Sequence, residues 1–209
     1  MLQFTCWAQQ NHSCPILLAQ DEKMKEVIEV TYLGNIISND GSNDKNIQDR
    51  WNKGMGIISS VISLLKHISL GKHYFKMGLL FRESNVINGI LTCVEVLNGL
   101  TEQQVKKLQN VDEIYMRKLL SAHSKVAKEA LFIETGKIPI NIVIKMRRLM
   151  YWWHIVNKDN TSMLHNVYSA QKSFPVRGDW SNLLDKDKKD FDIDCDDNQL
   201  KLKYKSKQT

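Results

Sequence analysis

Few residues in this chain of 209 are spaced for metal binding or nucleophilic catalysis. Cys6, His12 and Cys14 lie close together near the N-terminus, but their spacing matches no common zinc module and no second ligand pair follows. The other histidines form no pairing with a Cys or a carboxylate that would suggest a nucleophile–base relay. The motifs Gly-x-Ser-x-Gly, His-Glu-x-x-His and the Walker phosphate loop are absent from the sequence. We therefore predict no catalytic residue, no metal site and no cofactor in this chain.

Basic residues are concentrated in the middle of the chain. There are 29 Lys and Arg against 23 Asp and Glu overall, and residues 51–160 carry 16 basic and 8 acidic residues, a net charge of +8. Binding to a polyanion such as nucleic acid would follow from this charge, because phosphate neutralisation releases counterions and needs no specific contact. A solvated basic surface accounts for the same charge, so this observation alone leaves both interpretations open.

The composition excludes several protein classes. A hydrophobic fraction of 43% with five Trp, six Tyr and six Phe predicts a packed core, which a disordered chain lacks. No window approaches the roughly 20 apolar residues that span a bilayer, and residues 16–19 are too short for a signal-peptide core. The four Cys form no Cys-x-x-Cys pair. We expect an intracellular, reduced and soluble protein with no membrane partner, and the sequence does not distinguish nucleus from cytoplasm.

The first regular elements predicted are two short strands. β-Branched residues flank Gly34 within residues 24–38, which indicates strands on either side of a bend. Asn39-Asp40-Gly41-Ser42 then predicts a turn. Asp44 can cap a following helix, whose apolar residues recur at steps of three, four or seven and which turns Trp51 inward. These apolar residues are Ile47, Trp51, Ile58, Val61 and Leu65.

The rest of the chain is predicted to be helical. Thr101-Glu102-Gln103-Gln104 is a capping box, and the helix it opens places Val105, Leu108, Val111, Tyr115 and Leu119 on one face. A short helix from Ser124 ends at Gly136, and Pro139 starts another helix in which Trp153 continues the face of Leu149 and Met150. Thr161 and Asp179 are further capping candidates. The predicted fold is mainly α, with an irregular leader (1–20), a β-hairpin (21–42), a helical domain (43–170), and a short helix with a charged tail (171–209).

Several blocks of this sequence resemble one family. TYLGNIISNDGSNDKNIQDRWNKG resembles the segment after the catalytic palm of non-LTR (LINE-type) retrotransposon reverse transcriptases, where a Tyr-Leu-Gly strand, a return strand and a basic helix lead into the thumb. The blocks GLLFRESNVINGIL, VDEIYMRKLLSAHSK and EALFIETGKIPINIVIKMRRLMYWWHI are similar to the post-palm helical region of endonuclease–reverse transcriptase polyproteins, and VRGDWSNLLDKD to a shorter element that follows. The resemblance covers roughly residues 26–191, with the blocks in order.

The resemblance implies a hairpin like the primer grip, followed by a helical thumb-like and connection-like bundle. The family's polymerase centre holds two divalent metals on palm carboxylates, including an Asp-Asp pair that precedes the thumb. Here Asp196-Asp197 is the only such pair, it follows the thumb-like region, and we interpret it as part of a solvated acidic segment. We therefore expect this chain to lack the catalytic aspartates and not to polymerise DNA alone.

The resemblance also implies contacts with the backbone of an RNA/DNA template–primer. By this resemblance Tyr32 and Gly34 correspond to the primer grip, and the interpretation of Tyr32 as a core strand residue and Gly34 as a bend is compatible with that role. Lys45, Arg50 and Lys53 have spacings that can share one face of the next helix, as phosphate ligands or as a solvated face. The remaining basic candidates are Lys72, Lys76, Arg147 and Arg148.

Three functions are compatible with these observations. The first is a thumb-and-connection fragment of a reverse transcriptase that binds template–primer. The second is a helical protein–protein interaction module, and the third is a relic of a retroelement with no function. A thumb without its palm also exposes the apolar face that would have packed on it, so self-association is a further expectation.

Overall fold

The structure is a computed structural model that describes residues 18–19, 22–23, 27–32, 34–67, 73–159, 161–174, 176 and 178–194. Most of the predicted leader, the tail beyond residue 194, and the positions Cys6, His12, Cys14, Lys72 and Asp196-Asp197 lie outside the described residues. The prediction of a mainly α protein with a hairpin near its N-terminus is confirmed.

Within the described residues, four short strands form two separate antiparallel ladders. β1 (Leu18–Ala19) pairs with β2 (Glu22–Lys23), and β3 (Glu29–Tyr32) pairs with β4 (Asn35–Ser38). The predicted bend between β3 and β4 is confirmed, because Gly34 lies there with φ of +80°, a conformation that residues with a Cβ rarely adopt. β1 lies at the end of the segment predicted to be an irregular leader (1–20).

The other regular elements among the described residues are helices. Residues 82–87 form a π-helical turn and residues 94–96 a 3₁₀ turn, and these interrupt the region between the second and fourth α-helices. The α-helices are α1 (Asp44–His67), α2 (Tyr74–Phe81), α3 (Asn88–Ile90), α4 (Glu102–Leu120), α5 (Lys128–Thr135), α6 (Ile140–Val156), α7 (Met163–Ser173) and α8 (Trp180–Asp190).

α1 and α4 lie side by side and run in the same direction. Gln104 near the start of α4 donates to Asp44 at the start of α1 (2.7 Å). Further along, Gly54 of α1 faces Val111 of α4, and a Cβ built on Gly54 would lie 2.7 Å from Val111 Cγ1. Glycine therefore sets the closest approach of the two helices. The apolar face predicted for α4 is confirmed, with Leu108, Val111, Tyr115 and Leu119 in the core.

A buried ion pair ties the π-helical turn to α4. Arg82 donates from Nε to Asp112 Oδ1 (2.7 Å) and from Nη2 to Asp112 Oδ2 (2.6 Å). Its Nη2 also donates to the carbonyl of Ile138 (2.9 Å) in the segment between α5 and α6. Both side chains of the pair are at most 2% exposed. This ion pair fixes the π-helical turn, α4 and the segment before α6 relative to one another. Moving one of them away would leave a buried charge without its partner, which costs free energy.

A second, smaller core joins the last three helices. Trp152 and Ile155 of α6, Tyr168 of α7, and Trp180 and Leu184 of α8 are buried together. Trp180 Nε1 also donates to the carbonyl of Glu95 (2.7 Å), which links this cluster to the 3₁₀ turn. The prediction that Trp153 lies in the core is wrong. Trp153 is 42% exposed and Trp152 is 3% exposed, because α6 presents the neighbouring position to α7 and α8.

The predicted helix ends are mostly correct to within a few residues. The capping box at Thr101 is formed in both directions, and the helix preceding Gly136 ends there in a left-handed turn. Asp179 caps α8 as predicted, whereas Ser162 rather than Thr161 caps α7. Pro139 is the N-cap of α6, one position before the expected place, and α5 begins at Lys128 rather than Ser124.

Candidate nucleic-acid interface

The outward face of α1 is the part of the predicted interface that the structure assembles. The inward face of α1 packs Ile47, Ile58 and Leu65 into the main core. On the other side, six exposed residues recur at steps of three, four or seven and so share one face. We call this set the α1 outer face, and it consists of Lys45, Asn52, Gly56, Ser59, Ser63 and Lys66.

The α1 outer face carries positive charge at both ends and small or neutral polar residues between them. From Lys45 to Lys66 it spans roughly 30 Å at the helical rise of about 1.5 Å per residue. A Cβ built on Gly56 meets no atom within 4 Å, so the backbone there is open to a ligand. Residues 50–82 contain no Asp or Glu. Residues 50–82 therefore present no carboxylate that would repel a polyanion bound along this part of the α1 outer face.

Lys45 and Lys53 are exposed, as phosphate ligands must be, but each has a carboxylate neighbour. Lys45 pairs with Glu29 of β3, which ties the helix to the hairpin. Lys53 Nζ lies 2.6 Å from Asp49 Oδ2, one turn earlier on α1. Exposed pairs of this kind contribute about 0 to 1 kcal/mol, so a phosphate could replace either carboxylate at small cost.

Arg50 does not share this face, which corrects the prediction that grouped it with Lys45 and Lys53. Its side chain is 3% exposed and points into the protein. Nη1 donates to the carbonyl of Ile90 (2.8 Å) and Nη2 to the carbonyl of Thr92 (2.5 Å), with a further bond to Asn35 of β4. Burial lowers the pKa of Arg50. The guanidinium therefore joins the hairpin, α1 and the turn after α3, and is not available to phosphate.

The hairpin places Tyr32 and Gly34 at the surface. Tyr32 is 64% exposed, so it is not a core strand residue. Gly34 is explained by its positive φ, and a Cβ there would also meet nothing within 4 Å. Val30 and its register partner Ile37 are each about half exposed as well. An apolar, uncovered hairpin thus lies beside the first turn of α1.

Arg147 and Arg148 point in different directions and do not form the predicted pair of phosphate ligands. Arg148 is buried, and its Nη1 donates to Asp187 of α8 (2.6 Å). Burial lowers the pKa of Arg148, and the Asp187 carboxylate opposes that shift. Arg147 is half-buried and donates to the carbonyl of Leu91 (2.8 Å). The prediction is therefore wrong for Arg148, whose charge is used inside the protein.

Among the other predicted positions, Lys76 of α2 is exposed, and Lys72 lies outside the described residues. Lys66 was not among the predicted phosphate ligands, although the absence of Asp and Glu from residues 50–82 could have indicated it. The structure describes no cluster of three or more His, Cys, Asp or Glu that could hold a metal ion, within its described residues. In the same part of the chain, no helix is both long and apolar enough to cross a membrane.

Comparison with known proteins adds no assignment. The chain matches no protein-family model, no curated protein and no solved structure. The resemblance to reverse transcriptases therefore depends on the sequence blocks alone and stays a prediction.

Proposed function

We propose that this chain is the post-palm portion of a non-LTR reverse transcriptase and that it binds the backbone of an RNA–DNA template–primer through the α1 outer face. The observation that carries the proposal is the juxtaposition of that face with the exposed hairpin. In the family, a primer-grip hairpin and the first thumb helix occupy the same order along the chain.

The exposed hairpin supports the proposal that another domain packs on it in the full protein. A two-stranded hairpin is at best marginally stable on its own and normally packs against further strands or a helix. Here Arg50 and Lys45 hold it to α1, yet Val30, Tyr32 and Ile37 remain about half exposed or more. A palm domain packing on these side chains would cover them, as the resemblance implies.

The charge of the α1 outer face supports nucleic acid as the ligand. Lys66 of this face is exposed, as are Lys53 and Lys76 outside it, and all three lie in a segment that has no acidic residue. Ser59 and Ser63 provide hydroxyl donors of the kind that contact phosphate and sugar, and Gly56 permits close approach. Contacts of this kind position a duplex without reading its sequence, which is the requirement for template–primer binding.

The test is binding of a fluorescently labelled RNA–DNA hybrid to the purified chain at two salt concentrations, with circular dichroism on the same samples. Each phosphate contact contributes about 0.7 to 0.9 to the slope of log affinity against log salt. Lys45→Gln with Lys66→Gln removes both charges of the α1 outer face and should make that slope shallower by about 1.4 to 1.8. The control, Lys158→Gln with Lys189→Gln, removes the same charge from exposed lysines on α8 and after α6. Equal effects of both pairs, or no binding by a folded sample, would refute the proposal.

Gly56→Ala tests the close approach separately from charge. The added methyl group enters open space and favours the helix, so the variant should be at least as stable as the parent chain. We expect hybrid affinity to fall nevertheless, because the methyl group holds the duplex away from the backbone. Unchanged affinity would place the duplex elsewhere on the protein.

A protein–protein interaction module is the second candidate, and the exposed hairpin favours it too. A second copy of the chain could cover Val30 and Ile37, which would give a dimer in place of the missing palm. Light scattering after size-exclusion chromatography would detect it. Val30→Glu with Ile37→Glu should then yield a monomer, and a monomeric parent chain would remove this candidate.

A further inference from the structure

A second surface feature lies on the far side of α4 from α1. Here α4, α5, α6 and α8 enclose a groove of about 730 Å³. Glu102, Val105, Lys106 and Gln109 line it from α4. The residues of α4 that face α1 are Gln104, Lys107 and Val111. They lie two positions after Glu102, Val105 and Gln109 respectively, and two positions correspond to about 200° around a helix. The groove and the α1 outer face are therefore separate surfaces.

The walls of the groove are apolar. Val105, Phe132, Ile142 and Leu183 contribute side chains from all four helices. At its edge Ile133 of α5 is 80% exposed, an unusual state for an isoleucine next to other apolar side chains. A ligand that fills only the groove would leave Ile133 in water, whereas a helix lying across the groove would cover it.

The rim of the groove is basic. Five lysines line it against only two carboxylates, Glu102 and Glu129, because the third, Asp187, is held by Arg148. The lysines are Lys106, Lys128, Lys137, Lys145 and Lys186. Four of the five are ion-paired at the surface: Lys128 with Glu129, Lys137 with Glu83, Lys145 with Asp190, and Lys186 with Glu102. All eight of these side chains are at least 29% exposed, so an incoming carboxylate can replace the present partner at small cost. An occupant with carboxylates beside an apolar stripe is complementary to this rim.

Arg148 also lines the groove, but its Nη1 donates to Asp187, so this guanidinium is engaged within the protein.

We propose that this groove binds an amphipathic helix of a partner protein whose apolar stripe is flanked by Asp and Glu. Grooves between helices take such helices through apolar anchors at steps of three, four and seven residues. Flanking carboxylates face the rim lysines, and the anchors fill the space between Val105, Phe132 and Leu183. This inference is independent of nucleic-acid binding.

The experiment uses a synthetic 14-residue helical peptide with a leucine stripe and flanking Glu, and a second peptide in which every Glu is Lys. We expect the Glu peptide to bind the full chain at least about tenfold more tightly, because reversing the flanking charges turns attraction at the rim into repulsion. Lys106→Glu with Lys128→Glu should reverse that preference. Both side chains are exposed, so folding is preserved.

Ile133→Glu is the decisive variant, because an 80% exposed side chain contributes little to folding. Ile133→Glu should weaken binding of the Glu peptide by about tenfold or more, because it removes an apolar contact of the kind that anchors a helix in a groove. Met150→Glu is the matched control, since Met150 is exposed on α6 and does not line the groove. Equal binding of the two peptides, or no effect of Ile133→Glu, overturns the proposal. Binding of laurate with no binding of either peptide also overturns it, in favour of a small amphiphile.

Discussion

Two glycines of α1, only two positions apart, should respond in opposite ways to alanine. A Cβ on Gly54 would lie 2.7 Å from Val111 Cγ1 and 2.8 Å from Ile90 Cγ2, closer than real Cβ contacts come. Val111 and Ile90 are fully buried and β-branched, so neither can rotate away freely. A Cβ on Gly56 would meet nothing within 4 Å. The two sites therefore share a helix and differ in their surroundings.

The magnitudes follow from two opposing effects. Replacing Gly by Ala inside a helix raises the free energy of unfolding by about 1 kcal/mol at either site. At Gly54 the added methyl group also overpacks the core, which costs about 1 to 3 kcal/mol. Gly56→Ala should thus be stabilising, and Gly54→Ala less stable than Gly56→Ala by about 1 to 3 kcal/mol, or roughly 2 to 12 °C in Tm.

Urea unfolding of both variants, followed by circular dichroism, measures this difference directly. A double variant, Gly54→Ala with Val111→Ala, supplies the control, because it removes the methyl groups that the new Cβ would strike. The double variant should lose less free energy of unfolding than Gly54→Ala and Val111→Ala lose together, because the effects of substitutions at contacting residues are not additive. If Gly54→Ala were as stable as Gly56→Ala, α1 and α4 would not approach each other as described, and the parallel packing would be refuted.

Three further predictions concern buried polar groups. Asp112→Asn should destabilise the protein by about 3 kcal/mol in urea, because buried Arg82 loses its two-bonded carboxylate and keeps only Glu83 and the carbonyl of Ile138. Replacing both Arg82 and Asp112 with Leu should cost less. Asp179 is buried, which opposes ionisation, but its bonds from Val176 N, Asn182 N and the Ser181 hydroxyl hold its pKa below the usual value. The stability it contributes is present above about pH 4 and is lost as pH falls through the lowered pKa, so Asp179→Asn should approach the parent chain in acid unfolding. Arg50→Lys should lower the free energy of unfolding by about 1 to 3 kcal/mol, since carbonyls of Ile90 and Thr92 lose their donors; no change would mean an exposed Arg50.

Features that depend on neighbouring residues could be predicted from the sequence. The capping box at Thr101, the bend at Gly34 and the stop at Gly136 each need only a few adjacent positions, and all three are present. Helical spacing also grouped Lys45 and Lys53, which are exposed, but it placed the buried Arg50 with them. Local rules therefore gave the elements and two residues of the candidate site.

Features that depend on distant residues could not be predicted. Whether Arg50 turns inward is decided by carbonyl groups 40 or more residues away, and nothing in its own segment indicates them. α6 is apolar on more than one side, so its sequence does not fix whether Trp152 or Trp153 faces α7 and α8. Arg148 likewise depends on Asp187, which lies 39 residues later. The groove draws on four helices, and no pairwise spacing in the sequence could have located it.

The two proposed surfaces should act independently, and this can be tested on one sample. Val105, Lys106 and Gln109 face the groove, whereas Gln104, Lys107 and Val111 face α1, so α4 separates the two ligands. Hybrid affinity at fixed salt should then be unchanged by saturating Glu peptide, and peptide affinity unchanged by hybrid, because coupling between sites is reciprocal. Competition between the Glu peptide and the hybrid would mean that the lysines at the rim of the groove bind the duplex. In that case the α1 outer face would lose its assignment, even if the salt dependence of hybrid binding were as expected.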